Sequence, residues 1–368
     1  MERLNPNELA AMICENIQEF NEYRKRDPTW IPNLQKANLK GANLAWANLV
    51  LADLKGADLQ EARLDRSNLT EALLTESNLH KASLMQADLT EAVLARANLD
   101  EANLTGADLC NADLRGARFF RAKLQQSNLT EADLAGAQMN EAFLTHAILI
   151  NSYLVAVDLS KAEMTESKLS RAKLMQADLS GAQLHSADLT RAQMNEANLV
   201  GADLSQANLT KSTLIESQLC GSCLKGTNLI LADLTRANLN GADLRGACLS
   251  GTLLKEANLA GANLSGAYLG GADLRDTDLQ GADLSGCDLT MADLSGAHVH
   301  QTNLRRANFT GVNFSSLHDW NHIAAIDQAN IMDVRNPPGE FRQWAQSQGA
   351  LELSYREWCA CDFGSKKI

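Results

Sequence analysis

The chain has 368 residues and a net charge of −12, with 45% hydrophobic but only 5% aromatic residues. An acidic balance excludes the basic footprint of a nucleic-acid-binding domain, and no run of about 18 apolar residues is present to cross a membrane. The eight Cys are scattered, which fits a reducing compartment better than a disulfide framework. We therefore expect a cytoplasmic protein whose core consists mainly of Leu and Ala.

The N-terminal segment, residues 1–31, predicts a helical cap. Apolar residues recur at helical spacing from Leu9 to Phe20, with Pro6 near the start and Pro28 beyond the end. This pattern predicts one helix over about residues 7–25, whose apolar side covers the structure that follows. The acidic residues within the segment argue against a secretory signal.

Residues 34–314 repeat with a period of five. Every fifth position is large and apolar, 57 in all, and 50 of these are Leu. The residue two places earlier is Ala in 41 repeats, and the one between is Asp or Asn in 35. A period of five fits neither a helix nor simple strand alternation. It predicts a short extended piece and a turn, repeated so that coils stack and neighbouring coils supply the core.

The run KANLKGANLAWANLVLADLKGADL at residues 36–59 resembles the pentapeptide-repeat family, and the likeness covers residues 32–316. The resemblance implies an all-β solenoid, namely a right-handed quadrilateral (four-sided) parallel β-helix capped by short helices. Four pentapeptides per coil give about 14 coils from the 57 repeats, and a rod roughly 68 Å long at about 4.8 Å per strand. The predicted segments are thus a helical cap at 1–31, the β-helix at 32–316 and a C-terminal cap with a short helix at 317–368.

Charged residues spaced by 20 support four repeats per coil without reference to any family. Opposite charges on neighbouring strands stabilise a sheet by a few tenths of a kcal/mol, and like charges destabilise it. Every twentieth residue from position 61 to position 161 alternates in sign: Glu61, Lys81, Glu101, Arg121, Glu141 and Lys161. We expect these side chains to stack in one column.

The segment after Phe314 predicts the C-terminal cap. The repeat loses its phase here, and the tripeptide at 329–331 repeats the motif out of register. The Asn-Pro-Pro-Gly sequence at 336–339 precedes a short predicted helix that carries Phe341 and Trp344. A solenoid needs both ends covered to avoid association.

Three sets of residues could carry chemistry. Cys220 and Cys223 have the spacing of a redox or metal half-site, but both are expected to point outward without further ligands. Four histidines could hold zinc, although no Cys or carboxylate reinforces them: His298, His300, His318 and His322. One coil has hydroxyl groups at all its small inward positions, where bonds to backbone carbonyls are expected: Ser212, Ser217, Ser222 and Thr227. We expect no catalytic, cofactor or metal site.

Apolar residues on positions that should face solvent form the strongest candidate surface. We call this set the apolar belt: Phe143, Ile148, Ile150, Tyr153, Val155 and Met175. Protein interfaces favour aromatic and Met residues inside a polar rim. Four residues are placed to supply that rim: Lys123, Lys161, Glu163 and Lys168. The alternative is that the belt residues merely cover one another across a corner.

The sequence therefore predicts a rigid, non-enzymatic rod that serves as a protein–protein interaction scaffold. Its partner would be another protein or a second copy of the chain, without direct nucleic-acid binding. The alternative, suggested by the family resemblance, is a DNA-mimicking inhibitor or protector of a type II topoisomerase (DNA gyrase). A duplex as long as the rod carries about 40 negative charges, whereas residues 31–314 contain 32 acidic and 24 basic residues.

Overall fold

The computed structural model describes residues 4–361, and the chain divides into two compact units, Met1–Ala202 and Asp203–Ile368. In the first unit, parallel β-bridges join residues that are 20 apart, from Asn33–Asp53 to Asp178–Asn198. The bridges recur every five residues along the chain, so four pentapeptides complete one coil. The repeat therefore builds a parallel β-helix in which each side contributes a single bridge residue.

Each pentapeptide forms one side of a coil and one corner. Leu39 donates its backbone N–H to Asp58 O at 2.7 Å, and Asp58 donates to Ala37 O at 3.0 Å, which ties neighbouring coils together. The corner residue, two positions after each Leu, has a positive φ, as in Glu61 with 58°. A left-handed conformation costs a non-glycine residue about 1–2 kcal/mol. Closure of the coil, and not the local preference of the residue, therefore determines the backbone conformation at the corner.

The Leu and Ala positions face inward and form the core, while the residue between them faces outward. The frequent Asn or Asp at this outward position stabilises the turn. Asp58 Oδ1, for example, accepts a hydrogen bond from the backbone N–H of Gln60 at 3.2 Å. This is the short local bond that Asn and Asp favour in turns. The carboxylates of the repeat thus have a structural reason to be where they are.

The N-terminal segment contains two helices, α1 (Pro6–Glu15) and α2 (Ile17–Arg26), so the prediction of one helix over 7–25 is wrong. Asn16 interrupts the helix with φ −151°, and its side-chain oxygen accepts a hydrogen bond from Glu19 N at 3.1 Å. Asn competes with helical hydrogen bonding in this way and favours a helix start.

Side chains of α2 form hydrogen bonds with backbone groups of the first coil. These groups have no preceding coil to pair with. Asn21 donates to Trp46 O at 2.9 Å and accepts from Asn48 N at 2.8 Å. Arg24, which is almost fully buried, donates to Val50 O at 2.7 Å. An open edge of backbone donors and acceptors would otherwise be a template for association. The two helices therefore close this end of the first unit.

In the second unit, bridges at a spacing of 20 run from Asp203–Cys223 to His298–His318, after which the spacing becomes 22, as in Asn308–Asn330. A 3₁₀ helix at Trp320–His322 precedes these shifted bridges. The motif at 329–331 thus forms part of a further coil despite its altered phase. Helices α3 (Phe341–Ser347) and α4 (Tyr355–Ala360) follow.

Reversing a charge within the stacked column should weaken the first unit slightly. Lys81 Nζ lies 3.7 Å from Glu101 Oε2, and Glu61 occupies the same corner one coil earlier, since its N–H bonds to His80 O. Lys81→Glu would place three carboxylates in successive coils, with an expected loss of about 0.5 kcal/mol in a urea melt at low salt. Because salt screens exposed charges, the loss should vanish in concentrated salt; a loss that persists would contradict the stacking explanation.

Candidate protein-binding surface

The outward position before each Leu changes character between residues 143 and 173. Asp133 and Asp158 keep the usual turn bond, accepting from Ala135 N at 3.1 Å and Ser160 N at 3.0 Å. Most positions between 143 and 173 carry side chains without the short amide or carboxylate oxygen: Phe143, Ile148, Tyr153, Glu163, Lys168 and Lys173. Each forgoes a hydrogen bond worth about 1 kcal/mol. Departures from a fold's local rules are expected where a surface has a function.

All six residues of the apolar belt point outward; Tyr153 is 44% exposed, and the others are half-buried. Phe143, Ile148 and Tyr153 form bridges on three successive sides of the coil. In a four-sided coil, residues ten apart lie on opposite sides. Phe143 and Tyr153 therefore cannot both contact one flat partner surface, and the belt extends around two corners.

The part of the belt that can act together surrounds one corner. Ile148 lies on one side, Ile150 at the end of that side, and Tyr153 on the next side; we call these three residues the apolar corner. Val155 and Met175 follow at the next corner in neighbouring coils, where Ala156 N donates to Met175 O at 3.0 Å.

Cations accompany the belt in the neighbouring coils. Lys173 Nζ lies 3.9 Å from the ring centroid of Tyr153, a cation–π contact that holds the ring. Lys173 was not identified from the sequence, although its place 20 residues after Tyr153 gives the signal. Of the predicted rim, Lys123 and Glu163 flank Phe143 in its column and Lys168 follows Ile148. Lys161 lies in the corner column that begins with Glu61 and contains Glu141.

Asp188 lies one coil beyond Lys168 and is bridged to it. Its oxygens accept hydrogen bonds from the hydroxyl groups of Ser170 and Thr190 at 2.5 and 2.6 Å. Partial burial raises the pKa of Asp188, but these hydrogen bonds and the charge of Lys168 outweigh burial and hold the pKa below its ordinary value. Asp188 therefore stays ionised and engaged with its neighbours.

A second exposed aromatic residue offers a comparison within the first unit. Trp46 is 61% exposed, and the Arg66 guanidinium carbon lies 5.0 Å from its ring centroid. Together with Asp65 and Met85 they line an open groove of about 360 Å³. The outward positions on either side of Trp46 in the chain are Asn43 and Asn48, so Trp46 does not stand in a run of replaced outward positions. Trp46 is therefore a matched control for Tyr153.

The hydroxyl groups predicted to bond to backbone carbonyls do so, and the prediction is confirmed. Ser212, Ser217 and Ser222 donate to the carbonyl three residues earlier, at 2.7–2.8 Å. Thr227 donates to Leu204 O at 2.8 Å. All four are buried, and their role is structural.

The cysteines differ in burial. Cys220 and Cys223 are half-buried at the surface. Cys287 takes the place of an inward Ala and donates its S–H to Leu264 O at 2.9 Å. Burial raises the pKa of Cys287 to about 12, so its thiol is protonated and unreactive at neutral pH.

The four histidines singled out in the sequence form two ring pairs, one stacked and one tilted. The ring centroids of His298 and His318 are 4.6 Å apart, and those of His300 and His322 are 5.4 Å apart. His318 forms a β-bridge to His298, and His322 ends the 3₁₀ helix at Trp320–His322. Within residues 4–361, no group of three or more His, Cys, Asp or Glu is placed to hold a metal ion. In the same range, none of the helices combines the length and apolar character of a membrane span.

A family model described as pentapeptide repeats matches residues 33–290 and 292–317 through overlapping copies. A search of curated proteins gave no significant match. Among solved structures, the chain is 34% identical to HetL, a pentapeptide repeat protein involved in heterocyst differentiation regulation from the cyanobacterium Nostoc sp. strain PCC 7120. That match covers 70% of this chain and 95% of HetL, with a TM-score of 0.25.

Two further solved structures are more distant. QnrB1, a plasmid-mediated fluoroquinolone resistance protein, is 23% identical over 52% of this chain and 90% of its own, with a TM-score of 0.26. A pentapeptide repeat protein from the Arabidopsis thaliana thylakoid lumen is 26% identical over 35% of this chain and 84% of its own, with a TM-score of 0.17.

Proposed function

Because the chain belongs to the pentapeptide repeat family, we propose that it is a non-enzymatic scaffold that binds a protein partner through the outward face of its coils. The observation that carries the proposal is the stretch from residue 143 to residue 173. There, apolar and charged side chains replace the Asn and Asp that would stabilise the turns. A surface that forgoes local stability in favour of aromatic and aliphatic groups has the composition of an interface centre.

The apolar corner is the centre of the proposed contact. Tyr153 presents a ring fixed by Lys173, and a rigid aromatic anchor loses little conformational entropy on binding. Val155 and Met175 extend the contact along the same side. Phe143, on the side opposite Tyr153, would contact only a partner that wraps around the coil or a second molecule bound there.

Replacing Ile148 and Tyr153, which occupy the position before a Leu, by the residue typical of that position should remove binding without harming the fold. Ile148→Asn with Tyr153→Asn restores side chains that can accept the turn hydrogen bond. We expect the urea midpoint to be kept or raised. The free energy of partner binding, measured by capture, and that of self-association, measured by sedimentation, should each weaken by about 2 kcal/mol or more.

The Trp46→Ser variant is the control for this experiment, because Trp46 is also exposed and its ring also contacts a cation, Arg66. We expect its binding to equal that of the unchanged protein. Unaltered capture and self-association in the Ile148→Asn, Tyr153→Asn variant would mean that the belt residues only cover one another.

The alternative, DNA mimicry directed at a type II topoisomerase, rests on the family resemblance. Corner carboxylates of the repeat are paired with cations, as where Arg236 lies between Glu216 and Glu256 at 3.0 Å from each. Such pairs break up the uniform negative field that would imitate a duplex. A supercoiling assay with DNA gyrase distinguishes the two functions, because a scaffold should leave the enzyme's rate unchanged.

We also infer the remaining features of the protein from its family and composition. The coils are taken to be right-handed and to number about 14, from the 57 repeats. We propose that the caps and the β-helix divide at residues 31/32 and 316/317, with the further coil at 329–331 as part of the C-terminal cap. Location in the cytoplasm rests on the scattered arrangement of the eight Cys.

A further inference from the structure

The apolar corner continues directly into positive charge along the same two sides of the coil. Lys168 is bridged to Ile148 and Lys173 to Tyr153, one coil further on. The corner between these sides carries arginine in two successive coils, Arg171 and Arg191. The coils are joined there because Arg171 N donates to the carbonyl of Thr190, which precedes Arg191, at 2.9 Å. Four residues thus form what we call the cationic group: Lys168, Arg171, Lys173 and Arg191.

The corner arginines of this group lack the ion pairs that Arg96 and Arg121 form at corners of the first unit. Arg121, at the same position of its repeat, pairs with Glu141 one coil away at 2.8 Å. Arg171 and Arg191 have each other as neighbours in their column instead, and neither forms an ion pair within residues 4–361. Both are exposed. Two arginines therefore stand in neighbouring coils at the same corner, and neither is paired with a carboxylate of the described residues.

Apart from Glu166 and Glu196 at the two flanking corners, the only carboxylate on these two sides in the coils of residues 161–200 is Asp188. Its oxygens already accept hydrogen bonds from Ser170 and Thr190. The surface therefore carries an excess of positive charge on a chain whose net charge is −12. Guanidinium groups bind carboxylates through paired hydrogen bonds, which are stronger than neutral ones.

We propose that this surface binds an acidic segment of a protein partner, with apolar side chains of the segment on the apolar corner and its carboxylates on the cationic group. This inference rests on the scaffold function proposed above and specifies the chemistry of the partner. The apolar corner supplies the buried contact, while the cationic group steers the segment and fixes its direction.

The surroundings favour an acidic protein over a nucleic acid or an anionic membrane. Glu131 and Asp133 lie one coil before the apolar corner, where Asp133 is bridged to Tyr153. A nucleic acid or an anionic membrane that extends along these sides beyond the cationic group would meet the carboxylates of Glu131 and Asp133 and be repelled. A segment with acidic residues at one end and apolar residues at the other matches both parts of the surface.

The test uses the full chain and a fluorescein-labelled peptide with a Glu-rich half and a half containing Leu and Phe. Arg171→Glu with Arg191→Glu should weaken peptide binding about tenfold or more, which corresponds to about 1.4 kcal/mol. Glu occupies the same corner of the coil at Glu71 and Glu91, so this variant should fold. Lys36→Glu with Lys55→Glu makes the same change in net charge outside the surface and should alter binding by less than about twofold.

A second peptide, with Lys in place of Glu, makes the result independent of any loss of stability. It should bind the unchanged protein poorly and the Arg171→Glu, Arg191→Glu variant more tightly than the unchanged protein. Equal loss in both charge-reversed variants, or equal binding of the two peptides, would overturn the proposal. Tighter binding of duplex DNA or phosphatidylserine vesicles than of the Glu-rich peptide, with the same dependence on Arg171 and Arg191, would overturn it in favour of those polyanions.

The two proposals fail in different ways. If Ile148→Asn with Tyr153→Asn abolishes capture or self-association while the arginine reversal changes nothing, the scaffold contact stands and its partner is not acidic. If the reversal weakens the Glu-rich peptide but the apolar variant leaves every contact unchanged, acidic binding stands and the apolar corner plays no part in it. The joint arrangement proposed here requires both losses.

Discussion

Leu154→Asp should destabilise the first unit by about 4 kcal/mol or more. Leu154 has no exposed surface, and its N–H donates to Lys173 O at 2.8 Å, which fixes it between neighbouring coils. The residues 20 before and 20 after it are also fully buried leucines, Leu134 and Leu174. An aspartate there would be an unpaired charge between two fully buried leucines. Urea denaturation followed by circular dichroism measures the loss.

The adjacent residue provides the control for this substitution. Tyr153→Asp introduces the same charge one position earlier, where the side chain points outward and where Asp is common in the repeat. The new carboxylate can accept the turn hydrogen bond, so a change within about 0.5 kcal/mol is expected. A loss below about 1 kcal/mol for Leu154→Asp would mean that position 154 does not face the core.

Phe341→Ala should be the second most damaging of the changes considered, with a loss of about 3–5 kcal/mol in the second unit. Phe341 is fully buried at the start of α3, with ring centroids 5.1 Å from Phe314 and 5.9 Å from Trp320. Its removal would leave a cavity where the C-terminal segment packs on the last coils. Because those coils would then present unpaired backbone, concentration-dependent association should accompany the loss.

Gln343→Ala on the same helix is the matched control, since Gln343 is exposed. It should change neither the denaturation midpoint nor the sedimentation behaviour. Should Phe341→Ala behave like Gln343→Ala in both measurements, α3 would not contribute to closing this end of the second unit.

The interior of the fold could be predicted from the sequence because its signal is repeated. Each Leu and Ala marks a position that must be buried in the core. The charges spaced by 20 independently indicated four repeats per coil. The interruption at Asn16 was missed for the opposite reason. Helical spacing of apolar residues continues across it, and only the side-chain hydrogen bond to Glu19 N shows that a new helix begins.

The candidate surface was only partly predictable. The outward apolar residues and the three sides that carry them were identified from their positions, but the expectation that Phe143 and Tyr153 anchor one partner together ignored how far apart those sides are. A difference of ten between Phe143 and Tyr153 already places them on opposite sides of a coil that closes after 20 residues. Contacts between coils, such as Lys173 on Tyr153, depend on side-chain conformations that periodicity does not give. The cationic group became visible only when residues 20 apart were considered together.

The coil imposes two different periods, five for the interior and 20 for the surface, and this has a consequence for the gene. Gaining or losing five codons would keep every inward side chain inward but would turn all later surface residues by one side of the coil. Gaining or losing 20 codons would keep both the interior and the sides. A binding surface spread over several coils can therefore survive changes in gene length only in steps of a whole coil, although the fold itself tolerates steps of a single repeat.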